Sequence, residues 1–221
     1  MTDSDTSSRP SNQWYDIWVQ FRSHKGALLG GIVFILIVAT VSLGPLLWPY
    51  DATYIDIRAR NQSPNWAHPF GTDQLGRDTL ARMMAGGQTS IAVGLTAMLL
   101  ALVLGSFIGV LAGFFKRLDN LLMRMTDLFL ALPLLPILLV MMLLFREVLN
   151  NAFGPEKGIF ILITVSIGIT SWMPTARIVR GDVLALKERE FVLAARSIGT
   201  TNTRLILRHI LPNVMSPIMV S

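Results

Sequence analysis

Residues 83–115 read MMAGGQTSIAVGLTAMLLALVLGSFIGVLAGFF, and this stretch decides the fold class. It contains no charged residue, and it is longer than the roughly 20 residues that a helix needs to cross the hydrocarbon core of a bilayer. A backbone in lipid must satisfy its own polar groups, which a helix does within one segment. The stretch therefore predicts a transmembrane helix, with a span of about 88–113.

Other charge-free runs lie on both sides of this helix. They predict further spans at about 26–48, 121–145 and 158–176, with a fifth span starting near 213. The first run is longer than the roughly 7–15 apolar residues of a cleaved signal peptide, so a signal peptide is the weaker interpretation. Residues 1–25 form a polar tail, and residues 26–221 form the transmembrane domain. We expect an all-α, polytopic helical membrane protein, truncated in its fifth transmembrane helix, since too few residues follow 213 to complete a crossing.

The composition supports a membrane protein. Hydrophobic residues make up 52% of the chain and charged residues only 15%, against about 25% charged in an ordinary soluble domain. Mean hydropathy is +0.54. The chain has no cysteine, which excludes disulfides and thiolate-bound metals. The net charge of +5 comes without a basic stripe interleaved with aromatics, so we expect no nucleic-acid partner.

The basic residues of the loops predict the orientation, because Lys and Arg accumulate on the cytoplasmic side. With the amino terminus inside, the outer set is Arg58, Arg60, Arg77, Arg82, Arg146 and Lys157. The inner set is larger: Arg9, Arg22, Lys25, Lys116, Arg117, Arg124, Arg177, Arg180, Lys187, Arg189, Arg196, Arg204 and Arg208. We therefore predict a multi-pass protein of the inner or plasma membrane, surrounded by lipid, with a cytoplasmic amino terminus.

Small side chains recur every four residues in the second span. This ridge consists of Ala97, Ala101, Gly105, Gly109 and Gly113. Residues at this spacing share one helix face and allow close approach of another helix. Packing within the subunit is the favoured interpretation, and an interface with a second subunit is the alternative.

The third predicted span contains two features that bear on its shape. Pro133 and Pro136 each remove a backbone donor, which predicts a kink. Arg124 and Asp127 are three residues apart at the inner end of the span, a spacing that allows them to pair on one helix face.

The first outer loop carries a glycine-rich turn. Its residues of interest are Gly71, Thr72, Asp73, Gly76, Arg77 and Asp78. Thr72 or Asp73 can cap the helix that follows, and glycine supplies turn conformations. A metal site formed by His68, Asp73 and Asp78 is the alternative, but these donors lack the tight spacing of a recognisable site. We predict a capped turn and no metal.

Residues 177–212 form a long inner loop with helical order. Apolar residues at Phe191, Ala194, Ala195 and Ile198 follow the period of one helix face. Gly199 is expected to end this helix with a positive φ, and a second helix is expected over 204–211, before Pro212. An amphipathic helix lying on lipid is the alternative, but the two alanines would bury little apolar area there. Small residues favour contact with a protein groove.

This segment resembles the cytoplasmic loop of the inner-membrane permease subunits of binding-protein-dependent (type I) ABC importers. That pattern reads E-A-A, three residues, G, nine residues, I, one residue, L-P. The matching residues are Ala194, Ala195, Gly199, Leu211 and Pro212. Leu193 stands where Glu is usual, with Glu190 on the same face three residues earlier, and His209 stands where Ile is usual. Residues 70–78, residues 123–127 and Pro133 resemble the peptide and nickel subfamily, in particular its second dipeptide or oligopeptide permease subunit.

The resemblance implies an all-helical permease that carries di- or oligopeptides. It implies four kinds of contact: a second permease subunit in a heterodimer, two cytoplasmic ATP-binding subunits, an extracytoplasmic substrate-binding protein, and lipid. The segment from Glu190 to Gly199 would receive the movement of the ATPases. No G-x-x-x-x-G-K-[ST] loop occurs, so we expect no enzymatic activity and no cofactor in this chain. A nickel or other small-solute permease remains open. A channel or secondary transporter needs polar groups along its own path, which the charge-free spans lack.

Overall fold

A computed structural model describes residues 21–214 of the chain. The described part is helical, with the following elements: α1 Lys25–Leu47, a 3-10 turn Ile57–Ala59, α2 Thr79–Phe114, α3 Lys116–Ala131, α4 Leu134–Phe153, α5 Pro155–Leu186, α6 Glu190–Ser197, α7 Asn202–Leu205 and a π-helical turn Ile206–Ile210. Within these residues, α1, α2, α4 and α5 are long and apolar enough to cross a membrane. The protein is thus an all-α, multi-pass membrane protein. Residues 1–20 of the predicted tail, and the fifth span beyond residue 214, lie outside the described residues.

The predicted third span, 121–145, is divided into two helices. Helix α3 ends at Ala131, and α4 begins at Leu134. Leu132 and Pro133 between them have extended backbone angles, because a residue that precedes proline is disfavoured in the helical region. Pro136 lies in the first turn of α4, where a missing N–H costs nothing. The proline pair therefore produces a helix break rather than a kink.

Helices α4 and α5 form a hairpin with a single connecting residue. Gly154 has φ = 85°, which turns the chain, and Pro155 then occupies the first position of α5. Because α4 continues to Phe153, the charged residues Arg146 and Glu147, which follow the predicted end of the span, lie inside the helix. The prediction had placed Arg146 in an outer loop.

The chain divides into two compact units after Ser90. The first contains α1, the α1–α2 loop and the start of α2. Glycines bring its two helices close together: a Cβ added at Gly44 would lie 2.2 Å from the Sδ atom of Met84, and one added at Gly87 would lie 2.7 Å from a methyl group of Val41. Small residues thus allow the close approach that holds helices together in lipid.

In the second unit, α2 and α5 pack side by side in parallel. A Cβ at Gly105 would lie 2.7 Å from the Trp172 carbonyl oxygen, and one at Gly109 would lie 2.7 Å from the Ala176 carbonyl oxygen. Further along, a Cβ at Gly113 would lie 2.9 Å from the next carbonyl oxygen of the same row, that of Arg180. Residue numbers rise together on both helices, so the two helices point the same way. Ala97 and Ala101 on the same face are buried as well. The ridge therefore lies against another helix of the same chain.

Helix α3 is held to α5 by two ion pairs. Arg177 donates to the Asp127 carboxylate at 2.5 Å, and Arg180 donates to Asp119 through both Nε and a terminal nitrogen, at 2.5 and 2.7 Å. The expected pairing of Asp127 with Arg124 on its own helix is wrong. An arginine on the neighbouring helix is within reach of Asp127 and takes its place.

Candidate functional site

Residues 190–212 contain the segment that is predicted to receive the movement of the ATPases, hereafter the coupling segment. It is a helix, a turn and a second helix that follow α5. Helix α6 carries Glu190 in its first turn and Arg196 in its last, so both charges interact favourably with the helix dipole. Its end has a Schellman pattern: the Gly199 N–H bonds to the Arg196 carbonyl at 3.0 Å, and the Thr200 N–H bonds to the Ala195 carbonyl at 3.2 Å. Gly199 has φ = 81°, as the sequence predicts.

The predicted apolar face of α6 does not share one environment. Ala195 is buried together with Val192, whereas Phe191, Ala194 and Ile198 are exposed. The helix is therefore anchored to its own chain by a Val192 and Ala195 stripe. The apolar residues on the other side point away from the fold, and Ile198 is 84% exposed.

A buried cluster joins α2 and α5 to the second helix of the segment. It contains Val110, Phe114, Val179, Val183, Ile210 and Val214, with Leu211 packed against it. Two cations tie the segment to the end of α2. The Lys187 ammonium donates to the Gly113 carbonyl at 3.3 Å, and the Arg196 guanidinium lies 6.0 Å from the Phe114 ring centroid. Val192, Lys187 and Arg196 were not predicted as site residues from the sequence. The contacts of Lys187 and Arg196 depend on the position of the end of α2, which local spacing does not indicate.

The second helix of the segment is irregular around the predicted His209, Leu211 and Pro212. The backbone from Ile206 forms a π-turn, in which the Leu211 N–H bonds to the Ile206 carbonyl. Proline clashes with the carbonyl one turn before it, and a wider turn relieves that clash. The Asn213 side-chain amide donates to the His209 carbonyl at 2.6 Å. This segment therefore differs from the regular helix that the sequence predicts over 204–211.

The structure brings two of the predicted coupling residues together across the turn. The rings of Phe191 and His209 have centroids 6.5 Å apart. An aromatic ring at position 209 can thus contact α6, where the resembled pattern has isoleucine. Glu190 and Pro212 are exposed, and Leu211 is half-buried.

The α1–α2 loop is a separate, internally bonded structure. Asp73 accepts hydrogen bonds from the backbone N–H groups of Leu75 and Arg77, at 2.8 and 3.0 Å, and from the side chains of Arg77 and Arg82. Desolvation raises the pKa of Asp73, but the hydrogen bonds from Arg77 and Leu75 outweigh it and lower the pKa to about 2. Asp73 therefore stabilises the turn at 73–77 by accepting hydrogen bonds from it, and it does not cap α2.

The cap of α2 is Asp78, not Thr72 or Asp73 as predicted. Asp78 Oδ1 accepts from the Ala81 N–H at 2.6 Å and from the Trp48 indole at 3.1 Å, and Oδ2 lies 2.7 Å from His68 Nδ1. The helix starts at Thr79, so Asp78 is the residue at the capping position. Thr72 instead bonds to the Ala59 carbonyl. Among the described residues, no three His, Cys or acidic side chains are grouped as metal ligands would be.

Gly71 and Gly76 shape this loop. Both have positive φ, 68° and 75°. A Cβ at Gly76 would lie 1.7 Å from the Asp56 carbonyl oxygen, and one at Gly71 would lie 2.3 Å from the Gln62 carbonyl oxygen. The predicted turn residues are therefore brought together, and only glycine fits at these two positions.

Comparison with known proteins matches most of the chain. Residues 101–221 match the family described as "Binding-protein-dependent transport system inner membrane component", and residues 12–64 match the "N-terminal TM domain of oligopeptide transport permease C". The oligopeptide transport system permease protein OppC of Bacillus subtilis is 37% identical over 217 residues, which cover 97% of this chain and 67% of the relative.

Two further relatives extend the comparison. The dipeptide transport system permease protein DppC of Bacillus subtilis is 33% identical over 220 residues, 99% of this chain and 65% of the relative. The glutathione transport system permease protein GsiD of Pectobacterium atrosepticum is 31% identical over 209 residues, 94% of this chain and 66% of the relative. The chain thus spans about two thirds of the length of the curated relatives it matches. It belongs to the family of binding-protein-dependent transport system inner membrane components.

Proposed function

We propose that this chain is a membrane-spanning permease subunit of an ATP-driven importer for di- and oligopeptides. It pairs with a second permease subunit, receives peptide from an extracytoplasmic binding protein and is driven by two ATP-binding subunits that hydrolyse ATP. The peptide substrate is supported by the names of the relatives, which are oligopeptide, dipeptide and glutathione permeases. The contact with the ATP-binding subunits is supported by the geometry of the coupling segment.

The observation that carries the proposal is the exposed apolar surface of that segment. Phe191, Ile198 and Leu207 are 44%, 84% and 60% exposed, and polar or charged residues adjoin them in the sequence. An exposed apolar patch with a polar rim is typical of a protein interaction site. Phe191 and Ile198 lie on and at the end of α6, which is short and is anchored to its own chain by the buried Val192 and Ala195, and Leu207 lies in the π-helical turn that follows. We assign this surface, hereafter the coupling face, to contact with an ATP-binding subunit.

The contacts beneath the coupling face give the movement a route into the membrane. A push on α6 reaches the end of α2 through Arg196 and Phe114, and it reaches α5 through the chain connection and the buried cluster. The backbones of α2 and α5 approach each other closely at the ridge glycines Gly105, Gly109 and Gly113. The two helices are therefore expected to move together when the ATP-binding subunits close.

The loop charges support an orientation with the amino terminus and the coupling segment in the cytoplasm. Single cysteines at the exposed positions Gln74 and Glu188 test it, because the chain has no cysteine background. An impermeant thiol reagent applied to intact cells should label only the residue at 74. Equal labelling of both positions contradicts the orientation.

Substitution of Gly199 tests the coupling role. In the Gly199→Leu variant, a non-glycine residue must adopt a positive φ, at a cost of about 1–2 kcal/mol. A Cβ there meets no atom of the chain within 4 Å, so the side chain itself projects toward the partner. We expect uptake, and ATPase activity stimulated by the binding protein, to fall about tenfold in the reconstituted complex, while the chain remains inserted.

Gly199→Asn is the matched control, because asparagine tolerates the left-handed region better than other side chains. It should retain most of the activity if the turn is what matters. If Gly199→Leu supports normal uptake and normal ATPase stimulation, the coupling role of this turn is wrong.

A further inference from the structure

Helix α4 contains two charged residues well inside a candidate membrane span. Arg146 and Glu147 are followed by six further helical residues up to Phe153, which places them about 10 Å from the helix end at 1.5 Å per residue. Charged side chains in spanning helices are costly, and they commonly mark a substrate or ion path. The rest of α4 before them, from Leu134 to Phe145, is free of charge.

Neither charge is neutralised within the part of the chain that the structure describes. Arg177 and Arg180, which also lie inside a span helix, each form an ion pair with α3. By contrast, within residues 21–214, Arg146 and Glu147 form no ion pair and no side-chain hydrogen bond. Being adjacent in sequence, they point about 100° apart around the helix, so they do not face each other. Both remain available to a ligand.

The two charges line one groove between α4 and α5. The groove has a volume of about 620 Å³, and its walls are Leu139, Met142, Leu143, Arg146, Glu147 and Ile159. This volume lies within the range of about 300–1,000 Å³ that is usual for small-molecule sites. An apolar wall with one cation and one anion suits a molecule that carries both charges and apolar side chains.

We propose that Arg146 and Glu147 form a subsite for the charged ends of a peptide in transit, with the peptide carboxylate on Arg146 and the peptide ammonium group on Glu147. The inference rests on the proposed function and adds the residues that contact the substrate. Arginine suits a carboxylate because its planar fork can donate two parallel hydrogen bonds. The apolar walls then accommodate side chains of varied sequence without selecting among them.

A zwitterionic lipid headgroup shares this chemistry, since it also carries an anionic and an ammonium group. The structure favours the peptide, because apolar residues surround the two charges on the groove wall, whereas a headgroup is expected at the end of a span. The experiment separates the two sources by varying the lipid.

The test uses the complete transporter, reconstituted with its binding protein in vesicles. Arg146→Gln and Glu147→Gln should each raise the KM for peptide uptake about threefold to fivefold, since one charge pairing is lost. ATPase activity stimulated by the binding protein should remain near the native value. Arg146→Lys and Glu147→Asp, which keep the charges, should recover most of the uptake. Glu156→Gln and Lys157→Gln, at the start of α5 in the same hairpin, serve as controls and should change nothing.

The lipid composition distinguishes a peptide subsite from a site for a lipid headgroup. The assay is run in vesicles of phosphatidylethanolamine with phosphatidylglycerol and in vesicles of phosphatidylglycerol alone. The same rise in KM in both lipids supports the peptide subsite, whereas a rise confined to the first overturns it in favour of a headgroup. Unchanged KM in both Gln variants, or loss of assembled complex in them together with no rescue by the charge-keeping variants, also overturns it. If the native transporter takes up no peptide, the proposed function fails instead.

Discussion

The α1–α2 loop and the coupling segment are both short connections that contain glycines with positive φ, yet they use their residues in opposite ways. In the loop, Asp73 and Asp78 accept hydrogen bonds from their own chain, and a Cβ at Gly76 would collide with the backbone. In the coupling segment, Gly199 has open space around it, and Ile198 faces solvent. The acidic side chains of the loop find their hydrogen-bond donors within the loop, whereas the apolar surface of the coupling segment is the one that we propose a partner buries.

The difference teaches how structural and functional turns can be told apart. Positive φ alone does not distinguish Gly76 from Gly199, because both values lie near 80°. The surroundings of the two glycines distinguish them. Gly76 is enclosed by the backbone of its own loop, and Gly199 is not. A substitution at an enclosed glycine should affect folding, and one at an open glycine should affect assembly.

The largest loss of folding stability is therefore expected for the Gly76→Ala variant. The new Cβ would lie 1.7 Å from the Asp56 carbonyl oxygen, so the backbone must move, and the left-handed φ adds strain. Together these cost about 3 kcal/mol. We expect a clear fall in the thermal unfolding temperature of the detergent-solubilised protein and proteolysis within the loop.

Gly199→Ala and Gly86→Ala are the comparison variants for this experiment, since a Cβ at either position meets nothing within 4 Å. Gly199→Ala should cost only the φ strain of about 1 kcal/mol. Gly86→Ala lies in helix α2 and should be neutral or slightly stabilising. If Gly76→Ala unfolds at the same temperature as Gly199→Ala, the distinction between enclosed and open turns is wrong.

A smaller effect on stability is expected from acid, and in the loop it should appear at Asp73. The pKa of Asp73 is about 2 in the folded protein, below its ordinary value of 3.8. A depressed pKa means that the folded state binds the proton less tightly than the unfolded state. The resulting stabilisation is present above about pH 4 and is lost as the pH falls toward 2.

Amide hydrogen exchange at Leu75 and Arg77 measures this, because both N–H groups donate to Asp73. Their protection should decline between pH 4 and pH 2 beyond the intrinsic pH dependence of exchange. Asp73→Asn should remove the excess decline. A pH dependence that is the same in native and Asn variants contradicts the assignment.

The sequence predicted features that depend on local geometry. Gly199 follows an apolar helical pattern, which is enough to predict a left-handed helix end, and the charge-free runs are enough to predict helical spans. The match to the coupling-loop pattern also indicated the family.

Features that depend on neighbouring elements were missed or misplaced. Asp78 was not chosen as the cap, because three polar residues near the start of α2 compete in the sequence and only the helix start decides between them. Asp127 pairs with Arg177, fifty residues away, and no local spacing indicates that. Val192 is buried and Phe191 is exposed, and this difference depends on which face of α6 lies against the rest of the chain. Arg146 was predicted to follow the end of a span because a charge was taken as the boundary, whereas the helix continues to Phe153.

The most direct test of the account is whether the coupling face binds an ATP-binding subunit. Ile198→Ser removes an apolar side chain that is 84% exposed in this chain, and Ile57→Ser removes one that is 69% exposed in the α1–α2 loop. Full burial of isoleucine at an interface contributes about 2 kcal/mol. We predict that the affinity-tagged Ile198→Ser chain, purified from native membranes, retains the second permease subunit but loses most of the ATP-binding subunits. The Ile57→Ser chain should retain both. Equal retention of the ATP-binding subunits by both variants would contradict the central claim.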